Sequence, residues 1–400
     1  MRRGAMREIT FPSFYGNEAA LDALRSGIAM GKVAHAYLLE GPRGSGKYTL
    51  AQLTAAAICC TDSERAPCRR CRACKTILAT PIQSPDVRTL GREENEARAT
   101  TTEDEREDTK QSSKKKAKKS IGVEAVRMLK DDAYMLPTEL EKKIYIIAGA
   151  ERMTVQAQNA LLKILEEPPA SVVFFLLCES RNALLPTIRS RVQSLRMETF
   201  DDETLSALLR GHDARASDIA LRDEARFALA IRLSRGTYGG ALSYLTQPKQ
   251  SLSADPVYHA HITAQACLSV IFSDPYASSA SPILGSDLPA GLQPTKASLG
   301  QYLSERVDTR ERMAALLSAL AAALRDITVC MRATEEMNVT LLFFTHAEQP
   351  RALSERISSI ALHRVGDTVA SLLDTVEANP NITLVRDLLA DALFGLRLGL

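Results

Sequence analysis

The sequence contains no tryptophan, and aromatic residues make up only 5% of its 400 positions. Ala and Leu dominate instead, which points to helix-rich architecture. An excess of one charge is also lacking. The formal net charge is +2, so the chain is not built to coat a polyanion, and any nucleic-acid contact must come from a local basic patch. No uninterrupted apolar run reaches about 18 residues, so no membrane span is expected. The opening MRRGAMREITFPSF carries basic residues without the apolar stretch that a secretory signal needs. A cytoplasmic location is therefore expected, where the eight cysteines stay reduced and a tight cluster means metal more often than disulfide. What is present is an ordinary globular balance, 45% hydrophobic and 24% charged. The length exceeds one ordinary core and implies two or three domains.

Along the chain, the apolar run Ala36–Glu40 leads into GPRGSGK (Gly41 to Lys47). A segment with Leu50, Leu53 and Ala57 on one helical face follows. Two further runs, Lys143–Ile147 and Val172–Leu177, lack polar alternation, as strands buried on both faces of a parallel sheet do. Between them Thr154 is placed to cap a helix with the stripe Ala157, Ala160, Leu161, Ile164 and Leu165, ended by Pro168-Pro169. Helices alternating with buried strands predict an α/β first domain with a parallel sheet over 1–196. Within it, residues 91–120 hold an acidic block, then a lysine block, and almost nothing apolar, which reads as a disordered surface insertion. Past residue 197 the pattern is amphipathic helix. A small helical domain is expected over 197–253, from the segments Leu205–Leu209, Ala225–Leu233 and Gly240–Leu245. A second all-α domain is expected over 254–400, from Met313–Val329 and Ile357–Ala370, broken by a Pro/Ser/Gly-rich loop near 274–298.

Gly41, Gly44, Gly46 and Lys47 fit most of the phosphate-loop pattern, in which backbone N–H groups ring phosphates and the lysine reaches the outer oxygens. The next residue should carry the hydroxyl that holds magnesium, yet it is Tyr48, and Thr49 lies about 100° further round the helix. A second buried strand should end in acids that organise metal and water. Here it runs into Ala148-Gly149, and Glu151 is the nearest acid. Two losses on the same chemistry predict no ATP hydrolysis, while ATP binding through Lys47 and the loop amides stays open.

Cys68-x2-Cys71-x2-Cys74 follows Cys59-Cys60 at a density that suits tetrahedral Zn2+, with either Cys59 or Cys60 as fourth ligand. Arg69, Arg70, Arg72 and Lys75 alongside should favour thiolates. Cys178, Cys267 and Cys330 stand alone and read as ordinary buried residues.

In this order the pieces resemble the bacterial clamp-loader subunits of DNA polymerase III, the gamma/tau and delta-prime group of AAA+ proteins. The segment from His35 to Gly44 is similar to the family's HAYLF-x-GPRG. Asn159–Pro169 (NALLKILEEPP) is nearly its NALLKTLEEPP. Ser84-Pro-Asp86-Val, Ile121–Arg127 and Pro186–Arg191 resemble further family segments. The resemblance is dense from about 11 to 196 and does not include the 91–120 insertion. It points to Cys59, with Cys68, Cys71 and Cys74, as the zinc set. It also implies that Arg191, by itself a surface or domain-joining arginine, is a finger reaching into a neighbouring subunit's ATP site. In the segment Arg235–Leu242, Gly239 stands where the family's motor subunits carry a nucleotide-sensing arginine. Kept finger and lost hydroxyl, acids and sensor together resemble delta-prime. The resemblance then implies a hetero-oligomer with gamma/tau-type motor subunits and the delta subunit, acting on a sliding clamp and primer-template DNA. The alternatives are an ATP-hydrolysing motor with a divergent site and a zinc-bearing DNA-binding scaffold outside the clamp loader.

Overall fold

The computed structural model describes residues 7–91, 120–247, 255–272, 295–333, 340–377 and 381–398. The insertion expected at 91–120 lies, apart from its two end residues, outside the described residues. The chain divides into two compact units, Met1–Leu209 with Gly236–Gly240, and Arg210–Arg235 with Ala241–Leu400.

The first unit is built on a five-stranded sheet. Its strands are β2 (Ala36–Glu40), β4 (Val87–Leu90), β5 (Lys143–Ala148), β6 (Val172–Cys178) and β7 (Gln193–Arg196), in the order β4-β5-β6-β2-β7. Every pairing is parallel, with Tyr37 beside Phe175 and Tyr145 beside Phe174. Strand side chains alternate between faces, and both faces are covered. On one, Tyr37, Leu39, Ile146, Phe175 and Leu177 share a core with α1 (Glu18–Ala29) and α2 (Lys47–Ile58). On the other, Leu38, Tyr145, Ile147, Phe174 and Leu176 share one with α4 (Val123–Ala133) and α5 (Val155–Glu166). This explains the unbroken apolar runs: neither face has water to meet. Full burial of each such side chain contributes roughly 1.5–3 kcal/mol. A two-residue pair, β1 (Glu8–Ile9) with β3 (Arg65–Ala66), lies outside the main sheet, and the short α3 (Arg72–Ile77) follows it.

Helix α5 starts where its sequence indicates. The Thr154 hydroxyl accepts the Ala157 N–H at 3.2 Å, satisfying one of the helix's orphan donors. Ala157, Leu161, Ile164 and Leu165 are buried, and the helix stops at Glu166 because Pro168 forces the residue before it out of helical geometry. A single turn, α6 (Pro186–Arg189), precedes β7.

Beyond β7 every described element is helical: α7 (Asp202–His212), α8 (Ala214–Arg222), α9 (Glu224–Ser234), α10 (Tyr238–Thr246), α11 (Pro256–Phe272), α12 (Lys296–Arg306), α13 (Arg310–Arg332), α14 (Glu348–Ser354), α15 (Ser359–Glu377) and α16 (Ile382–Leu398). Helix α12 begins inside the loop expected near 274–298, most of which lies outside the described residues. Helix α13 is long and apolar enough to cross a membrane by length and composition alone. Its Met313, Leu316, Leu317, Leu320, Leu324 and Ile327 are instead buried in the core of the helical unit. Its Asp326 is fully buried and accepts the N–H groups of Leu342, Phe343 and Phe344, fixing the chain before α14.

Candidate functional site: a phosphate pocket and a cysteine cluster

The phosphate loop joins β2 to α2. Gly44 and Gly46 take φ of 85° and 86°, conformations that strain any residue with a Cβ. Space is as tight as geometry: a Cβ on Gly44 would lie 2.7 Å from Gly240 N. Gly239 donates its N–H to Gly44 O at 3.0 Å, so position 239 sits against the loop, where a Cβ would approach Gly44 O to 2.9 Å. The Lys47 ammonium donates to Gly41 O at 2.6 Å and Pro42 O at 2.8 Å. Burial lowers its pKa, against the opposing pull of Glu179, Cys178 and Glu151.

Beside the loop is a cavity of about 590 Å3 whose walls include Lys47, Tyr48, Gly149, Glu151, Arg152 and Glu179. The loop amides and Lys47 fit phosphate oxygens. They do not fit a magnesium ion as a metal-dependent phosphate loop organises one. Tyr48 occupies the hydroxyl position, and β5 ends in Ala148-Gly149. Arg152 lies over that end, donating from Nη2 to Ala148 O at 3.0 Å and to Gly91 O. Glu151 is on the wall as the sequence allows, with a shielded Oε2 that has no hydrogen-bond partner among the described residues. Cys178, expected to be an ordinary buried residue, is buried but also lines the cavity; burial first, then Glu151 and Glu40, push its thiol up to about 12. Reading the sequence missed Arg152 and Glu179, since neither stands in a pattern that marks a site.

Arg191 is not part of this cavity wall. Its guanidinium pairs with Glu166 Oε1 at 2.9 Å and donates to Thr187 O at 2.9 Å. Glu166 is the first of the two glutamates that close α5, so the partner comes from the most specific of the resembling segments.

The cysteines correct one expectation. The sulfurs of Cys60, Cys68, Cys71 and Cys74 lie within 4.8 Å of one another. Cys59 is not among them: its thiol turns to Lys142 O at 3.9 Å, and burial pushes it up to about 12. The reason is local. Helix α2 ends at Ile58, and the two following residues point apart, Cys59 under β5 and Cys60 toward the cluster. The Cys60–Cys71 sulfur separation of 3.9 Å is near the ~3.8 Å edge of a tetrahedron with zinc–sulfur bonds of about 2.3 Å. Successive backbone N–H groups point at these sulfurs: Cys68 to Cys60, Cys71 to Cys68 and Cys74 to Cys71, at 3.5, 3.3 and 3.4 Å. Burial acts against the Cys71 thiolate, but N–H donors from Cys74 and Thr61 outweigh it and bring the thiol down to about 6. The flanking arginines contribute less than their sequence position suggests, because Arg72 pairs with Glu139 and Arg70 with Asp62. The four residues fit a structural Zn2+ site.

Residues 16–201 match the family model described as DNA polymerase III, delta subunit. The gamma/tau subunit of DNA polymerase III from Mycobacterium tuberculosis (strain ATCC 25618 / H37Rv) is 29% identical over 242 residues, covering 60% of this chain and 37% of its own length. The tau subunit from Escherichia coli (strain K12) is 31% identical over 242 residues, 60% of this chain and 33% of that one. The delta' subunit from Bacillus subtilis (strain 168) is 31% identical over 190 residues, 48% of this chain and 50% of that one. The chain thus spans between a third and a half of the length of these relatives. With the phosphate-loop sheet already described, these matches make residues 16–201 similar to DNA polymerase III clamp-loader subunits, with gamma/tau and delta-prime relatives at comparable identity.

Proposed function

We propose that the chain is a non-hydrolysing, delta-prime-like clamp-loader subunit that lends Arg191 to the ATP site of a neighbouring motor subunit. One observation carries the reading: a phosphate loop with its lysine is retained, while the metal and water positions hold Tyr48, Ala148 and Gly149, with Arg152 laid over the last two. A site of this composition can hold phosphates but lacks the groups that orient an attacking water. Gly239 against the loop agrees with the absence of a sensing arginine. Arg191 takes no part in its own pocket and stands partly exposed, its ion pair with the surface carboxylate of Glu166 easily exchanged. The partners implied are gamma/tau-type motors, a delta subunit, a sliding clamp and primer-template DNA in the cytoplasm. The cluster Cys60, Cys68, Cys71 and Cys74 would hold structural Zn2+.

The test is the DNA-stimulated ATPase of a complex reconstituted with motor subunits, comparing the natural chain with Arg191→Ala at equal assembly. The motor site this chain serves should lose turnover on the order of a thousandfold, and the total rate should fall by that site's share. An unchanged rate in an intact complex removes Arg191 from the mechanism. A second reading, a motor with a divergent site, is favoured by the unpartnered Glu151 Oε2 at the cavity. It requires ATP turnover by the isolated chain that Glu151→Gln abolishes.

A further inference from the structure

We infer that Arg152 is the resident cation of the phosphate pocket, so that the pocket takes a nucleoside polyphosphate as its metal-free anion. The inference rests on the reading of this chain as non-hydrolysing and extends it to how nucleotide is held.

In a metal-dependent phosphate loop, charge on the outer phosphates is shared between lysine, helix amides and a magnesium ion anchored by a hydroxyl and a carboxylate. Both anchors are missing here, and the space beside them is filled by a side chain of the same charge sign as the ion. Arg152 bridges the ends of β4 and β5, donating from Nη2 to Ala148 O at 3.0 Å and to Gly91 O. Two glycines make that position accessible. A Cβ on Gly149 would lie 2.5 Å from Arg152 Nε, and one on Gly91 would lie 2.7 Å from Arg152 Nη2. Both have positive φ, 71° and 73°.

The two carbonyl bonds use Nη2 alone. Nε and Nη1 make no hydrogen bond, and the guanidinium forms no ion pair, among the described residues. Its charge and remaining donors are therefore available on the wall of a cavity that already contains Lys47 and Arg43. Glu151 and Glu179 line the same cavity, so three cations face two carboxylates before any ligand enters. A guanidinium matches phosphate oxygens through a planar fork and repels a divalent cation at close range. Magnesium complexed to the nucleotide is then a competitor for the phosphates rather than part of the site.

The test uses the full chain and isothermal titration with ADP and with ATP, with magnesium in excess or omitted. A chelator is avoided because it would also take metal from the cysteine cluster. Binding should be as tight or tighter with magnesium omitted. Arg152→Gln should weaken magnesium-free binding about tenfold or more, the loss of a charge-assisted contact. Arg152→Lys should keep part of it, and Lys47→Ala should remove it. Binding that requires magnesium, or that Arg152→Gln leaves unchanged, overturns the proposal. So does an absence of binding under both conditions, and that result leaves the delta-prime reading intact, since the latter is judged on the neighbour's ATPase with Arg191→Ala. If melting curves show that Arg152→Gln does not fold, Arg152→Lys and the magnesium comparison on the natural chain decide the matter.

Discussion

Adjacent residues with the same side chain have different roles at the end of α2. Cys60 joins the sulfur cluster and Cys59 packs under Lys142. Cys60→Ser should therefore lose the bound zinc, and Cys59→Ser should retain a full equivalent, as read by metal analysis of the purified chains. Spacing alone could not separate them, because the choice depends on the direction in which the chain leaves a helix. Asp86 shows a second kind of residue-scale control. Its buried carboxylate accepts the N–H groups of Thr138, Glu139 and Leu140 at 2.7, 2.6 and 2.8 Å. Burial alone would raise its pKa, but these three donors and Lys143 outweigh that and lower it. A carboxylate depressed in the folded state stabilises above its unfolded pKa of about 3.9, and that stabilisation is lost as pH falls through the lower folded value. Asp86→Asn should cost about 2 kcal/mol near neutral pH and flatten the acid side of the stability profile, measured by urea unfolding across a pH series. The sequence marked Asp86 only by resemblance, since its donors lie some fifty residues downstream.

At the scale of elements, legibility followed burial. Strands β2, β5 and β6 lie inside the sheet, between neighbours on both edges, and each reads as an apolar run. The edge strands β4 and β7 have only four residues each, with exposed or half-exposed positions such as Arg88 and Gln193, and no run announces them. The β1–β3 pair is two residues long and left no pattern. Among helices, α5 was legible at both ends because a cap and a proline pair mark it. Helix α8 was missed because its nine residues bury only Ala216 and Ala220, too small a stripe to stand out. Thr154→Ala should cost about 1 kcal/mol, lowering the urea midpoint of the sheet-containing unit while leaving its helix content nearly unchanged by circular dichroism.

Over the whole molecule, the two sheet cores belong to one compact unit and the large helical core to the other, with no residue shared. Separate cores permit separate cooperative transitions. Calorimetry should resolve two, and stripping zinc should lower only the one that belongs to the unit with the cysteine cluster; a common shift would mean that the units unfold together. The pocket was legible in what it lacks, since missing acids and a missing hydroxyl can be read position by position. What replaced them could not be read, because Arg152 acts on carbonyls at Ala148 and Gly91 that only folding brings to it. That arrangement resists change one residue at a time. An acid introduced at position 149 would meet Arg152 Nε with its own Cβ and would have to adopt a left-handed backbone. Removing Arg152 first would leave two carbonyls without their donor. Under the non-hydrolysing reading proposed above, an acid at 149 and the loss of Arg152 each carry a structural cost when made alone, so a metal site at the end of β5 would need both changes together.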